Sequence, residues 1–227
     1  MDRGRVLFRT TIGLKITMAL SGIVWIAYVI GHMIGNLKIF QGREVFNHYA
    51  EGLRGFGDPF LGSGQALWIA RIILIVALVL HVWSAWKLTR VSRAARDVGY
   101  RKREAIEFSR ASRTMRWGGV ALLAFIAYHI LHLTLGWAHH DFVHGDPYHN
   151  FVAGFRLWPV SVIYLAAMIA LALHLYHGTW SALQTLGLGD GQHHEKTWHR
   201  RVALVIAVAV AGINALFPVA VLAGIVS

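Results

Sequence analysis

The chain has 227 residues, 56% of them hydrophobic and 15% charged, with a mean hydropathy of +0.50, a balance that excludes an ordinary soluble domain and makes a bilayer the natural solvent. It has no cysteine, so it forms no disulfide and holds no iron–sulfur cluster through thiolates of its own. The net charge of +11 falls in blocks between apolar runs, which sets topology in a membrane and argues against nucleic-acid binding.

A helix needs about 20 predominantly apolar residues to cross a bilayer. Five segments meet this, at about 16–37, 65–88, 117–138, 159–183 and 202–224, which predicts one all-α integral membrane domain over residues 1–227. The N-terminus carries Arg3, Arg5 and Arg9 with no small-residue cleavage site after a short apolar core, so the first span is expected to stay in the membrane. The segment between the first and second spans has glycines around Phe46-Asn47-His48-Tyr49, the pattern of a short helix between turns. Arg71 lies one turn inside the second span. The segment Ala138–Phe151 holds His139, His140, His144 and His149 with Asp141 and Asp146; their spacing fits no specific metal motif and reads as a solvated loop. The fifth span carries Asn214 and Pro218.

Of the 22 Lys and Arg residues, only Lys38, Arg43, Arg54, Arg71 and Arg156 fall outside when the N-terminus is cytoplasmic and the C-terminus external. The positive-inside rule selects that orientation. The basic loop Arg90–Arg116 then faces the cytoplasm, where it contacts anionic lipid or docks a partner subunit.

Six of the 14 histidines lie within spans: His32, His81, His129, His132, His174 and His177. Ionisable side chains at that depth are costly and have assigned partners. At about 1.5 Å rise per residue, His32 and His129 lie roughly 25 and 18 Å from the cytoplasmic ends of their helices, and His81 and His174 roughly 9 to 14 Å. Two helical hairpins stacked as a four-helix bundle therefore offer two imidazoles at each of two levels, as bundles do when they build internal cofactor sites. Any one of these histidines alone reads as a packing residue or proton relay. Four matched by depth read as axial ligands of two haems, which with two axial imidazoles each would carry electrons rather than bind oxygen.

His132 and His177 lie one turn beyond His129 and His174, and depth alone does not choose within either couple. The spare pair is left for a propionate, a quinone or a backbone carbonyl. Arg71 reads either as a snorkelling anchor or as a partner of an outer-haem propionate. Gly31 and Gly35 have the spacing of a small-residue packing motif, serving either cofactor clearance or helix contact.

The segment Lys15–Ile39, with Met18-Ala19-Leu20-Ser21-Gly22 and Gly31-His32-Met33, followed by Phe46-Asn47-His48-Tyr49, Leu80-His81, Tyr128-His129 and Leu173-His174-Leu175 with Gly178-Thr179-Trp180-Ser181, resembles the single-chain, five-helix dihaem cytochrome b subunit of succinate dehydrogenase and fumarate reductase. The resemblance runs through all five spans. It implies two haem b groups, His32 with His129 holding the outer one and His81 with His174 the inner one, and so favours His129 over His132 and His174 over His177. It implies a membrane anchor for a flavoprotein and an iron–sulfur subunit in a bacterial inner membrane, passing electrons to a quinone, expected to be menaquinone, as part of the tricarboxylic acid cycle and respiratory chain. A higher oligomer of that complex is compatible with it. Lys15 and Ser21 near the inner face, and His48 and Glu51 near the outer one, are the candidate quinone contacts. No catalytic dicarboxylate residue is expected here, since the chain has neither a dinucleotide-binding glycine fingerprint nor cluster cysteines. The competing expectations are a free-standing dihaem cytochrome b and a non-redox transporter with histidine relays.

Overall fold

The computed structural model describes residues 10–58, 60–94, 108–188 and 198–227, in 108–114 the backbone alone. The N-terminal arginines, and the part of the basic loop with Arg96, Arg101, Lys102 and Arg103, lie outside the described residues. Helix α1 is Thr11–Asn36, extended by a 3-10 turn Leu37–Gln41; α2 is Arg43–Gly55, α3 Gln65–Ala94 and α4 Phe108–His129, which continues as a π turn Ile130–Thr134. Then come α5 Pro147–Arg156, α6 Trp158–Thr185 and α7 Trp198–Leu222. The described residues contain no strand, and five of the helical segments are long and apolar enough to span a membrane. The chain is a multi-pass, all-α membrane protein.

Local chemistry explains where the helices begin and end. Thr10 caps α1 by accepting from the Gly13 N–H at 3.1 Å, a cap that contributes about 1 kcal/mol. The segment ends at Gly42, whose φ of 94° leaves the helical region at no steric cost to a glycine. The third span stops at Thr134, short of the expected boundary near 138. Its last hydrogen bond, Leu135 N–H to the Ile130 carbonyl, has already slipped to π spacing, and Gly136 follows with φ 73°. Pro218 lies inside α7, where its ring cannot donate to Asn214; the Asn214 side chain in turn donates to the Val210 carbonyl at 2.8 Å.

In lipid, helices gain little from hydrophobicity and associate by close packing of small residues. Ala203, Ala207 and Ala211 make such a stripe along α7, all buried, and α7 packs most extensively on α6. Helix α1 packs against α3 and α6, and α4 packs against α6. In cyclic order the bundle is α3, α1, α6, α4, and among the described residues α3 and α4 are not packed closely on one another. Helix α3 buries only Ala77 and Ser84 and turns Ile69, Ile72, Ile75, Val76 and Val79 outward, as suits a lipid-facing helix.

One end of the bundle carries a cap built from α2 and α5. Helix α5 was not evident in the sequence, where 138–151 reads as a wet loop; residues 138–146 are indeed a mostly exposed loop, and 147–151 form the start of α5. Asp146 caps α5 by accepting from the His149 N–H, accepts from Asn47 Nδ2 at 2.9 Å, and pairs with Arg43. Asn47 Oδ1 accepts from the Tyr148 N–H, so both ends of the Asn47 amide tie α2 to α5. Burial alone would raise the Asp146 carboxyl, but the hydrogen bonds from Asn47, His149 and Arg43 outweigh it and hold the group below the usual carboxylate range. Beneath the cap, Ile39, Phe46, Phe151, Phe155, Tyr164 and Phe217 form one apolar cluster.

Candidate functional site

His32 on α1 and His129 on α4 meet with ring centres 5.9 Å apart near the capped end. His81 on α3 and His174 on α6 meet at 6.2 Å deeper in the bundle. In each pair the helices are diagonal neighbours, so the couples cross the bundle at two levels. Two imidazoles on opposite sides of one metal ion, each with a metal–nitrogen bond of about 2 Å, have ring centres about 6 Å apart. The ring planes are inclined by 87° and 61°, and each ring is free to turn about a metal–nitrogen axis, so these inclinations are compatible with such a ligand set. All four rings keep some accessible surface.

The far nitrogens are held differently. His81 Nδ1 lies 3.1 Å from the Met18 carbonyl, and a carbonyl only accepts, so Nδ1 carries the proton and Nε2 keeps its lone pair. Ser21 Oγ donates to the Thr17 carbonyl at 2.7 Å and lies 3.3 Å from His81 Nδ1. His129 Nδ1 faces the Tyr164 hydroxyl at 3.2 Å. His174 Nδ1 is buried with no hydrogen-bond partner among the described residues. A hydrogen bond on the far nitrogen fixes the tautomer and orientation of a metal-binding imidazole.

Glycines supply space at the inner level. A Cβ on Gly22 of α1 would stand 3.3 Å from His81 Cε1, and one on Gly119 of α4 would stand 3.5 Å from His174 Cε1. Each of the four helices thus brings either an imidazole or a bare backbone to that level. Gly31 has open space beside it, whereas Gly35 lies under Tyr49, whose hydroxyl a Cβ would meet at 2.5 Å. The two glycines therefore have different uses, and Gly35 serves helix contact.

The structure separates His129 from His132. His132 is 1% exposed, stacked between Tyr128 (5.4 Å, 6°) and His139 (4.9 Å, 21°), with Nδ1 3.0 Å from the Tyr164 hydroxyl. It faces the cap. His177 lies against Tyr176, and among the described residues the ring facing His81 is that of His174.

The remaining sequence candidates are scattered. Ser21 sits beside the inner pair, its hydroxyl engaged by its own helix and by His81. Lys15 is exposed on α1, and His48 and Glu51 are exposed on α2. Arg71 stacks its guanidinium over Trp68 at 4.8 Å, and Tyr28 stacks on His32 at 5.5 Å. Tyr164, Gly22 and Gly119 escaped sequence reasoning, although counting depth along α6 places Tyr164 at the level of His129.

In the segment 138–151, His139 Nε2–H donates to the Asn150 carbonyl at 2.8 Å and Nδ1 accepts from the Asp141 N–H at 3.0 Å. His149 Nε2 meets Asp141 at 3.1 Å. Burial lowers the His139 pKa, reinforced by the neighbouring His140 and His149 and opposed by the Asn150 carbonyl and Asp141.

No family model, curated protein or solved structure matches this chain.

Proposed function

We propose that the chain is the dihaem cytochrome b anchor subunit of a succinate:quinone oxidoreductase. The observation that carries this reading is the pair of histidine couples, crossing the bundle diagonally at two levels with ring centres about 6 Å apart as bis-imidazole ligation of one ion requires. His32 and His129 would hold the outer haem, and His81 and His174 the inner one. The haems supply reversible one-electron storage inside the membrane. The protein orients the ligand imidazoles through Met18, Ser21 and Tyr164, leaves clearance at Gly22 and Gly119, and covers the outer level with the α2–α5 cap. Arg71 is the candidate partner of an outer propionate. Lys15, Ser21, His48 and Glu51 remain the candidates for quinone contact, with Ser21 contributing through His81.

Function in this complex entails a cytoplasmic flavoprotein and an iron–sulfur subunit docked at the uncapped end, with quinone, expected to be menaquinone, as the membrane substrate. The test is a pyridine haemochrome assay and a reduced-minus-oxidised spectrum on the purified complex. Two haem b per chain are expected. Replacing His81 or His174 by Ala should remove the inner haem alone, and replacing His32 or His129 the outer one. An intact complex without haem, or equal loss of both haems in all four variants, would overturn the ligand assignment.

A further inference from the structure

The outer couple differs from the inner one in how its far nitrogen is held. On the inner side His81 donates straight to a backbone carbonyl. On the outer side the partner of His129 is a hydroxyl that is itself shared, 3.2 Å from His129 Nδ1 and 3.0 Å from His132 Nδ1. A tyrosine hydroxyl has a single proton to donate. If His129 binds through Nε2, its Nδ1 keeps its proton and donates to the Tyr164 oxygen; Tyr164 must then donate to His132 Nδ1, and His132 carries its proton on Nε2.

Packing holds the three groups in line for that order of donors. The Tyr164 ring is wedged edge-to-face between Phe125 at 4.9 Å and Phe155 at 4.7 Å, which aims its hydroxyl. His132 is clamped between Tyr128 and His139, and His139 is tied at both nitrogens. Gly154 leaves the space in which the His132 and His139 rings lie, since a Cβ there would stand 3.0 Å from Nε2 of each. A buried, fully aimed hydroxyl with an acceptor behind it polarises the bond in front of it.

We propose that Tyr164 and His132 are positioning residues that tune His129 as a ligand: His132 accepts from Tyr164 so that Tyr164 accepts from His129. This rests on the haem reading above. Donation from Nδ1 would make a ligating imidazole more basic and would favour the ferric state of a haem held there, lowering its potential relative to one held by an imidazole without that bond.

The test is an optical redox titration of the b haems in membranes containing the whole complex, with the outer component assigned by the His81→Ala variant. In Tyr164→Phe both haems should be retained and the outer midpoint potential should move upward, with the inner one unchanged. His132→Leu should shift the outer potential in the same direction. His132→Asn, whose side-chain carbonyl can stand in for the Nδ1 acceptor, should leave it as in the wild type. An outer potential unmoved by Tyr164→Phe, an equal shift of both haems, or His132→Asn behaving like His132→Leu would overturn the inference. Absence of haem from the wild-type complex would instead overturn the haem reading beneath it.

Discussion

Gly154 lies so close to His132 that a methyl group on its α-carbon would stand 2.8 Å from the imidazole Cε1. Neither side can yield easily. His132 is stacked on both faces, and Gly154 belongs to α5, which the Asp146 and Asn47 hydrogen bonds hold in place. Gly154→Ala should therefore destabilise the capped end by about 1–3 kcal/mol, the ordinary cost of overpacking a core. Thermal unfolding in detergent measures this. Gly118→Ala on α4, where nothing lies within 4 Å of the added carbon, should leave the transition unchanged.

Asp146 joins α2 to α5, and its replacement by Ala should loosen the two together. Loss of the α5 cap alone costs about 0.5–2 kcal/mol, and Arg43 and Asn47 lose their partner as well. The pH dependence has a definite sign. A carboxyl held below its ordinary range contributes stability that is present above the unfolded-state pKa and lost as pH falls through the lower folded value. Backbone amide exchange in α2 and α5 should rise on acidification below about pH 4 in the wild type, beyond the intrinsic change. In Asp146→Ala the two helices should be weakened already at neutral pH, and that acid step should be absent.

His139 titrates in the opposite chemical sense and at higher pH. Its pKa is lowered chiefly by burial, so the neutral ring is the one that fits, with Nδ1 accepting from the Asp141 N–H. Stability from this group is complete above the ordinary histidine range and lost as pH falls through the lower folded value. Limited proteolysis of the 135–146 segment should accelerate between about pH 7.5 and about pH 5. His139→Phe keeps the ring stack but removes both hydrogen bonds, so this segment should be susceptible at both pH values.

Gly22→Val should press on the His81 ring, and Gly119→Val on that of His174. If the inner level houses a haem, either variant should lower inner haem occupancy severalfold while the outer haem is retained, as read from the difference spectrum. Gly118→Val is the control and should keep both.

Ala207 lies 2% exposed in the stripe where α7 meets α6. Ala207→Leu should cost about 1–3 kcal/mol by forcing the helices apart. Leu204→Ala, one position off the stripe on the exposed side, should cost little, and a thermal shift assay comparing the two variants checks the assignment of that face.

The depth of a residue along a helix is a local property, set by a constant rise per residue, and so it can be counted from the amino-acid order. The five long apolar helices and the two levels of histidines were legible in that way, and the counted levels put together the rings that lie 5.9 and 6.2 Å apart. Rotation about the helix axis is not local. His129 and His132 are separated by about 60° on a regular helix, too little to choose between them, and the π turn beginning at Ile130 swings His132 further from the face of His129. Only the packing of α4 against α6 and the cap aims one ring into the bundle and the other at His139. Of the cap, α2 was legible as the short helix expected around Phe46-Asn47-His48-Tyr49, and α5 was not. Ala138–Phe151 is polar and rich in histidine, as a wet loop would be, and its order comes from Arg43 and Asn47, about a hundred residues earlier in the chain, which the fold brings to Asp146. Apolar length and depth were determined by the sequence itself; which face each polar side chain presents was decided by neighbours that only the tertiary structure supplies.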